Sequence, residues 1–148
     1  MQLILWRHAE AEDGQDDLAR ELTAQGHKQA ERVGRWLRKR LPEDFRVIAS
    51  PALRTRQTAQ GLADRFDIVD ALAPGASART VLRAAGWPDA GDVVVVVGHQ
   101  PTLGQTAALL LAGAERDWSV KRAAAWWFEA RERDAEVVLR AVIAPALV

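Results

Sequence analysis

Short apolar runs alternate along the chain with segments in which apolar side chains recur every three or four positions. Runs such as Leu3–Trp6 have no polar alternation, which is typical of strands buried on both faces of a parallel sheet. Val93–Val97 is the clearest of them, because five β-branched side chains suit a pleated core. The predicted strands are Leu3–Trp6, Arg46–Ser50, Asp67–Asp70, Val93–Val97, Ala123–Ala130 and Glu136–Ile143, the last two joined by a hairpin around Arg131–Asp134.

The segments between these strands have the spacing of amphipathic helices. Thr23 is a candidate N-cap for the first helix, and Pro42 is expected to end it. Gly26 and Gly34 lie inside this helix, and they are expected to weaken it a little. Three further helices are predicted. The first begins at Pro51 and carries Leu53, Arg54, Thr58, Leu62 and Phe66. The second spans Ala78–Ala85, and the third runs from Pro101 to about Ala112.

Strands that alternate with helices predict an α/β fold, a three-layer α/β/α sandwich with a largely parallel central sheet. The length of 148 residues fits one domain, and the sequence contains no repeat, linker or low-complexity tract. Residues 1–148 are therefore expected to form a single domain. No apolar stretch approaches the roughly 20 residues of a membrane-spanning helix, and the N-terminus lacks a signal-peptide core, so a cytoplasmic protein is expected.

Composition excludes several classes of function. The absence of cysteine excludes a disulfide framework, a thiolate metal site and a cysteine nucleophile. Twenty basic residues balance twenty acidic ones, which argues against nucleic-acid or membrane-surface binding, because both need a net basic field. Only three of the basic residues are lysines, so arginine dominates. This bias fits either a genome-wide codon preference or bidentate phosphate binding, and composition does not decide between them.

Three predicted strands end in residues that can carry chemistry. Arg7-His8 follows the first, Ser50-Pro51-Ala52-Leu53-Arg54 follows the second, and Gly98-His99 follows the Val93–Val97 strand. Each motif alone is typical of an ordinary strand end or turn. All three motifs, however, lie at the carboxyl ends of their strands, where open α/β sheets bind their ligands. These equivalent positions predict that the three motifs share one crevice.

Two histidines and two arginines in one crevice suit phosphoryl transfer. Guanidinium forks match phosphate oxygens and remain charged at any working pH. One neutral imidazole can attack phosphorus, and a second, protonated imidazole can neutralise charge on the phosphoryl oxygens. Because the arginines supply the positive charge, this chemistry predicts no metal ion and no cofactor.

Four ordered motifs between residues 2 and 112 resemble the histidine phosphatase superfamily, the phosphoglycerate mutase-like fold, and most closely its SixA-type phosphohistidine phosphatases. The resemblance implies that His8 is the phosphorylated nucleophile and that Arg7, Arg54 and His99 bind phosphate or sulfate beside it. Ser50, Gln100 and Glu10 are further candidates for substrate binding. The motifs are Leu5-Trp6-Arg7-His8-Ala9-Glu10-Ala11-Glu12, Leu22-Thr23-Ala24-Gln25-Gly26, the segment Ser50–Ala59, and Val97-Gly98-His99-Gln100-Pro101.

Two departures from the family pattern bear on function. Ala9 stands where the family has glycine, and its small methyl group is expected to be tolerated. Many relatives carry a glutamate general acid in a lid, but the interval Ala71–Asp92 contains only Asp89 as a carboxylate before Asp92. A minimal domain without a lid, and without an obvious acid, is therefore expected.

A missing general acid favours a substrate whose leaving group needs little protonation. Imidazole leaves phosphorus with less help than a sugar alkoxide, and an uncovered site admits a protein surface. The sequence therefore predicts a metal-independent phosphatase with a phosphohistidine intermediate, acting on phosphorelay or phosphotransfer proteins. A broad-specificity phosphomonoesterase for small phosphorylated substrates is the alternative, and a non-catalytic phosphate-binding adaptor is a third hypothesis.

Overall fold

The computed structural model describes residues 1–131 and 136–148, in which six strands form one sheet. Its strand order is β3-β2-β4-β1-β5-β6. The neighbours β3, β2, β4 and β1 are parallel, whereas β5 and β6 run antiparallel at one edge. The strands are β1 (Gln2–Arg7), β2 (Phe45–Ala49), β3 (Asp67–Ile68), β4 (Val93–Gly98), β5 (Ala125–Ala130) and β6 (Val137–Ile143).

Four helices cover the two faces of this sheet. They are α1 (Ala24–Arg38), α2 (Leu53–Gln60), α3 (Ala78–Ala85) and α4 (Thr102–Ala112). Alternate residues of β1 separate two cores, because Ile4 packs with α1 and α2 while Leu5 packs with α3 and α4. The predicted three-layer α/β fold with a largely parallel sheet is thus confirmed. No helix in the described part of the chain is both long and apolar enough to cross a membrane.

The second helix and the C-terminal strands differ from the sequence prediction. Pro51 precedes α2, because the Ser50 hydroxyl accepts the main-chain N–H of Ala52 and forms a turn before the helix begins. The helix ends at Gln60, and Leu62 and Phe66 lie beyond it. β5 begins two residues later than predicted, because Ala123 has a left-handed φ of 58°. The strands of the predicted hairpin pair as expected, whereas residues 132–134 of its turn lie outside the described residues.

The first helix begins as predicted, since the Thr23 hydroxyl accepts the N–H of Gly26 at 2.9 Å. Its second glycine allows close packing rather than merely weakening the helix. A Cβ atom at Gly34 would lie 2.1 Å from the main-chain oxygen of Gly61, just after α2. Because only hydrogen fits there, Gly34 sets the separation of α1 and α2, and α2 carries Arg54.

The segment between β3 and β4 holds a short 3-10 turn at Asp70–Leu72 and helix α3. Val81 and Ala85 of α3 are buried in the same core as Leu103 of α4. The Thr102 hydroxyl donates to the main-chain oxygen of Ala76, which ties this segment to the start of α4. Helix α3 is therefore packed within one layer of the fold.

Candidate active site

The parallel register of β1 and β4 places the half-buried Arg7-His8 motif beside the buried Gly98-His99 motif. Arg7 is aligned with Gly98, and the main-chain N–H of His8 donates to the oxygen of Gly98 at 3.1 Å. The rings of His8 and His99 consequently lie with their centroids 5.4 Å apart at the carboxyl edge of the sheet. Ser50 joins them from β2, since its N–H donates to Val97.

The imidazole of His8 has a defined tautomer. Its Nδ1 lies 2.8 Å from the main-chain oxygen of Ala9, and a carbonyl oxygen can only accept a hydrogen bond. Nδ1 therefore carries the proton, and Nε2 keeps its lone pair. Burial lowers the pKa of His8 to about 4, opposed by the bond to Ala9 and assisted by the positive charges of Arg54 and Arg7. The ring is a neutral base at pH 7.

The second imidazole, that of His99, has the opposite tautomer. Its Nδ1 lies 3.4 Å from Nη2 of Arg54, and a guanidinium can only donate. Nε2 therefore carries the proton and donates to the hydroxyl of Ser50 at 2.7 Å. Burial, and then the charge of Arg54, lower the pKa of His99 to about 3. Ser50, which also accepts the N–H of Ala52 at 3.2 Å, thus anchors the His99 ring.

The two arginines of the site, Arg7 and Arg54, each have a donor that is still available. Nη1 of Arg7 donates to the main-chain oxygen of Val120 at 2.8 Å. Arg54 is 4% exposed, and its terminal nitrogens donate to Asp17. Nε of each arginine is buried and has no acceptor among the described residues. Both guanidiniums can therefore donate to the oxygens of one anion.

The charges of these groups make the pocket suited to a tetrahedral oxyanion. Burial and the charge of Arg122 lower the pKa of Arg7, while Arg7 and Arg54 lower the pKa of both histidines. A bound dianion would offset the positive charge of the two arginines and favour the protonated form of His99. In the described residues no group of three or more His, Cys, Asp or Glu side chains is arranged to hold a metal ion.

The other two candidate residues are placed differently. Both ends of the Gln100 amide are occupied by main chain: Nε2 donates to the oxygen of Trp118 at 2.8 Å, and Oε1 accepts the N–H of Gly104 at 2.7 Å. The geometry gives Gln100 a structural role and does not support its binding to substrate. Glu10 is half-buried two residues after His8, and its role in substrate binding stays a prediction.

Two contacting residues were not among the sequence candidates. The hydroxyl of Thr58 accepts a hydrogen bond from the N–H of Ala9 at 3.0 Å. Asp17 accepts hydrogen bonds from both terminal nitrogens of Arg54. Thr58 lies four positions after Arg54 in α2, a spacing that places both on one helix face. That spacing was the available signal for Thr58, whereas nothing distinguished Asp17 from the other acidic residues of its loop.

Ala9 fits its position as expected. Its side chain is fully buried in a small cluster with Leu22, Ala30 and Ala123. Among the described non-glycine residues only Ala123 has a positive φ, so Ala9 does not adopt the conformation that would require glycine. The methyl group therefore causes no backbone strain beside His8.

Comparison with known proteins identifies similar chains. A model of the histidine phosphatase superfamily, branch 1, matches residues 3–74. A phosphohistidine phosphatase SixA homologue of Haemophilus influenzae is 31% identical over 126 residues, covering 74% of this chain and 77% of that protein. A structure assigned to SixA of Nakamurella multipartitia is 30% identical, with a TM-score of 0.75 and coverage of 97% and 95%. A SixA structure complexed with tungstate has a TM-score of 0.84 at 24% identity, covering 99% and 98% of the two chains.

Proposed function

Because the chain belongs to the histidine phosphatase superfamily and is a phosphohydrolase, we propose that it hydrolyses phosphohistidine on another protein through a phosphorylated intermediate at His8. The observation that carries this proposal is the 2.8 Å hydrogen bond from Nδ1 of His8 to Ala9. It holds the ring proton on Nδ1 and leaves the lone pair of Nε2 available to phosphorus. Arg7, Arg54 and His99 supply the donors for the phosphoryl oxygens.

In the first step, Nε2 of His8 attacks phosphorus while the P–N bond of the donor breaks. The electron pair of that bond returns to the donor imidazole, which leaves as a neutral ring because its other nitrogen already carries a proton. His8 becomes Nε2-phosphorylated and keeps its proton on Nδ1. Arg7 and Arg54 stabilise the charge on the phosphoryl oxygens, the principal requirement of phosphoryl transfer.

In the second step, the oxygen of water attacks phosphorus and the P–Nε2 bond breaks. The electron pair returns to Nε2, and both protons of the water leave with dihydrogen phosphate. His8 is regenerated as a neutral ring, because Ala9 keeps the proton on Nδ1 throughout. Neither step requires a separate general acid. This balance favours an imidazole over an alkoxide as the leaving group.

In this proposal, residues 1–148 form a single histidine phosphatase domain, which works in the cytoplasm. The substrate in this proposal is a phosphorelay or phosphotransfer protein that carries phosphohistidine; the names of the SixA relatives describe those proteins as phosphohistidine phosphatases. No metal ion or cofactor takes part. Arg7 and Arg54 bind the phosphoryl group, Ser50 holds His99, and His99 donates to a phosphoryl oxygen when an anion raises its pKa.

The test is incubation with a radiolabelled phosphohistidine carrier protein, followed by an alkaline quench that preserves P–N bonds. We expect label on His8 and release of phosphate, and a loss of at least about a thousandfold in rate in folded His8→Ala. Label on a serine or a carboxylate, or a near-normal rate in His8→Ala, would refute the mechanism.

A parallel assay with phosphate monoesters decides the substrate class. Faster turnover of esters than of the carrier protein would favour the small-molecule phosphomonoesterase. Tungstate, the oxyanion in the related SixA complex, serves as a probe of the site that needs no turnover. Tight tungstate binding without hydrolysis of any substrate would favour the phosphate-binding adaptor.

A further inference from the structure

We infer that Asp17 is a positioning residue that orients the Arg54 guanidinium toward the phosphoryl group. The inference rests on the proposed function, because it concerns how Arg54 meets the transferred group. Asp17 begins a short 3-10 turn, Asp17–Ala19, in the acidic loop after β1. It lies nine residues after His8 in the sequence, and of the two arginines in the site it contacts Arg54.

Asp17 binds Arg54 through two different oxygen atoms. Nη1 of Arg54 donates to the main-chain oxygen of Asp17 at 2.6 Å, and Nη2 donates to the carboxylate Oδ2 at 3.2 Å. The Arg54 side chain is 5% exposed, so water does not compete freely for these donors. The two contacts together determine both the position and the rotation of the planar guanidinium.

The geometry of a guanidinium then decides which donors remain. Nη1 and Nη2 share the end of the group, whereas Nε and the second hydrogen of Nη2 share one side of it. Asp17 occupies the end. The side is directed toward the catalytic pocket: Nη2 also lies 3.4 Å from Nδ1 of His99, and Nε is buried with no acceptor among the described residues. Asp17 thus leaves Arg54 with its Nε–H for a phosphoryl oxygen, and with the second hydrogen of Nη2 once His99 is protonated and no longer accepts it.

A second arginine holds Asp17 in place. Nη1 of Arg20 donates to Oδ1 of Asp17 at 3.1 Å, and Nε of Arg20 donates to the main-chain oxygen of Glu12 at 2.8 Å. The carboxylate therefore bridges Arg20 and Arg54 with one oxygen for each. The hydrogen bond from Arg20, and then that from Arg54, lower the pKa of Asp17, so it is an anion and not a proton donor at neutral pH.

The same contacts allow a contrary role, in which Asp17 competes with the substrate for Arg54. The two roles predict opposite results for Asp17→Asn, which keeps the size of the side chain and the main-chain contact. A positioning residue improves phosphate binding and the rate, so its loss weakens both. A competing anion impairs both, so its loss strengthens them.

The experiment is a double-mutant cycle measured by calorimetric titration with inorganic phosphate, which requires no turnover. Asp17→Asn is expected to weaken phosphate binding about tenfold, as for the loss of one charge-assisted hydrogen bond. In the Arg54→Ala background the same substitution is expected to cause no further weakening. Asp16→Asn, an exposed neighbour in the same loop, is the control and is expected to stay within about twofold of the wild type.

Three results would overturn the inference: tighter phosphate binding in Asp17→Asn, an equal loss in the Arg54→Ala background, or an equal loss in Asp16→Asn. Thermal unfolding of each variant identifies a loss caused by misfolding, and Asp17→Glu is expected to restore part of the affinity. Turnover of a phosphohistidine carrier is measured separately. If phosphate binding shows the coupling but the wild type does not hydrolyse the carrier, the proposed function fails and the role of Asp17 stands.

Discussion

The hydroxyl of Thr58 connects Ala9, which directly follows His8, to Arg54 at the start of α2. It accepts the main-chain N–H of Ala9 at 3.0 Å and donates to the main-chain oxygen of Arg54 at 2.8 Å, and the side chain is fully buried. Ala9 in turn accepts the ring proton of His8. One hydroxyl therefore links the backbone beside the His8 ring to the backbone of Arg54.

Replacement of the Thr58 hydroxyl tests whether this link between Ala9 and Arg54 matters for stability and rate. Thr58→Val keeps the shape but leaves the buried N–H of Ala9 without an acceptor, which is expected to lower the free energy of unfolding by about 1–3 kcal/mol. The rate of phosphoenzyme formation is expected to fall with it, because the carbonyl that orients His8 belongs to the same residue. Chemical denaturation and rapid-quench labelling measure the two effects. Thr58→Ser keeps the hydroxyl, so it should retain most of the rate; equal losses in both variants would contradict the role.

The arginine forks give a second prediction. Arg7→Lys and Arg54→Lys keep the positive charge, but each removes the planar pair of donors that one anion can share. We expect each variant to lose at least about a hundredfold in kcat/KM with a phosphohistidine carrier, as for an interaction that is strongest in the transition state. Arg38→Lys, at the exposed end of α1, is the matched control. Near-normal turnover in either active-site variant would exclude bidentate binding.

The low pKa values of His8 and His99 predict that the titration of His99 depends on bound anions. In the anion-free protein, His8 and His99 should titrate near 4 and 3 when followed by nuclear magnetic resonance of the ring nitrogens. Inorganic phosphate should raise the pKa of His99, because the dianion counters the charge of Arg54. A His27→Gln background leaves only these two histidines in the spectrum. A titration of His99 that phosphate does not change would contradict its place beside the anion.

The same values predict how stability responds to pH. Histidines of the unfolded chain bind a proton near pH 6.5, whereas the folded rings bind one only near pH 4 and pH 3. The unfolded state therefore takes up more protons as the pH falls below 6.5, and the free energy of unfolding decreases. This contribution should level off below about pH 3. Urea denaturation across this range measures the slope, and His8→Gln should reduce it.

The sequence pattern predicted the layers of the fold and the shared edge of the site for a simple reason. Apolar runs mark strands that are buried on both faces, and residues at the carboxyl ends of neighbouring parallel strands must lie together. His8 and His99 illustrate this, since each directly follows its strand and their separation follows from the β1–β4 register. No knowledge of loop conformation was needed to place them.

Contacts that depend on loop conformation could not be predicted in this way. Asp17 lies among several acidic residues of one loop, and only the folded turn decides which of them reaches Arg54. Gln100 directly follows His99 in the sequence, yet its side-chain amide is directed toward Trp118, which belongs to a distant segment. Helix propensity also failed to indicate why Gly34 lies inside α1, because the reason is a neighbour from another part of the chain.

Gly34 supports a final prediction, because helix propensity and packing have opposite effects on the free energy of unfolding when this residue is replaced by alanine. In an isolated helix, Gly34→Ala would stabilise α1 by about 0.5–1 kcal/mol. In the folded chain, its Cβ would lie 2.1 Å from the oxygen of Gly61, so α1 and α2 must move apart. We expect the free energy of unfolding to fall by about 1–3 kcal/mol, as for an overpacked core. The rate should fall too, because α2 carries Arg54, and the exposed substitution Arg35→Ala provides the control. A stabilised Gly34→Ala variant would show that the contact between the two helices does not restrict this position.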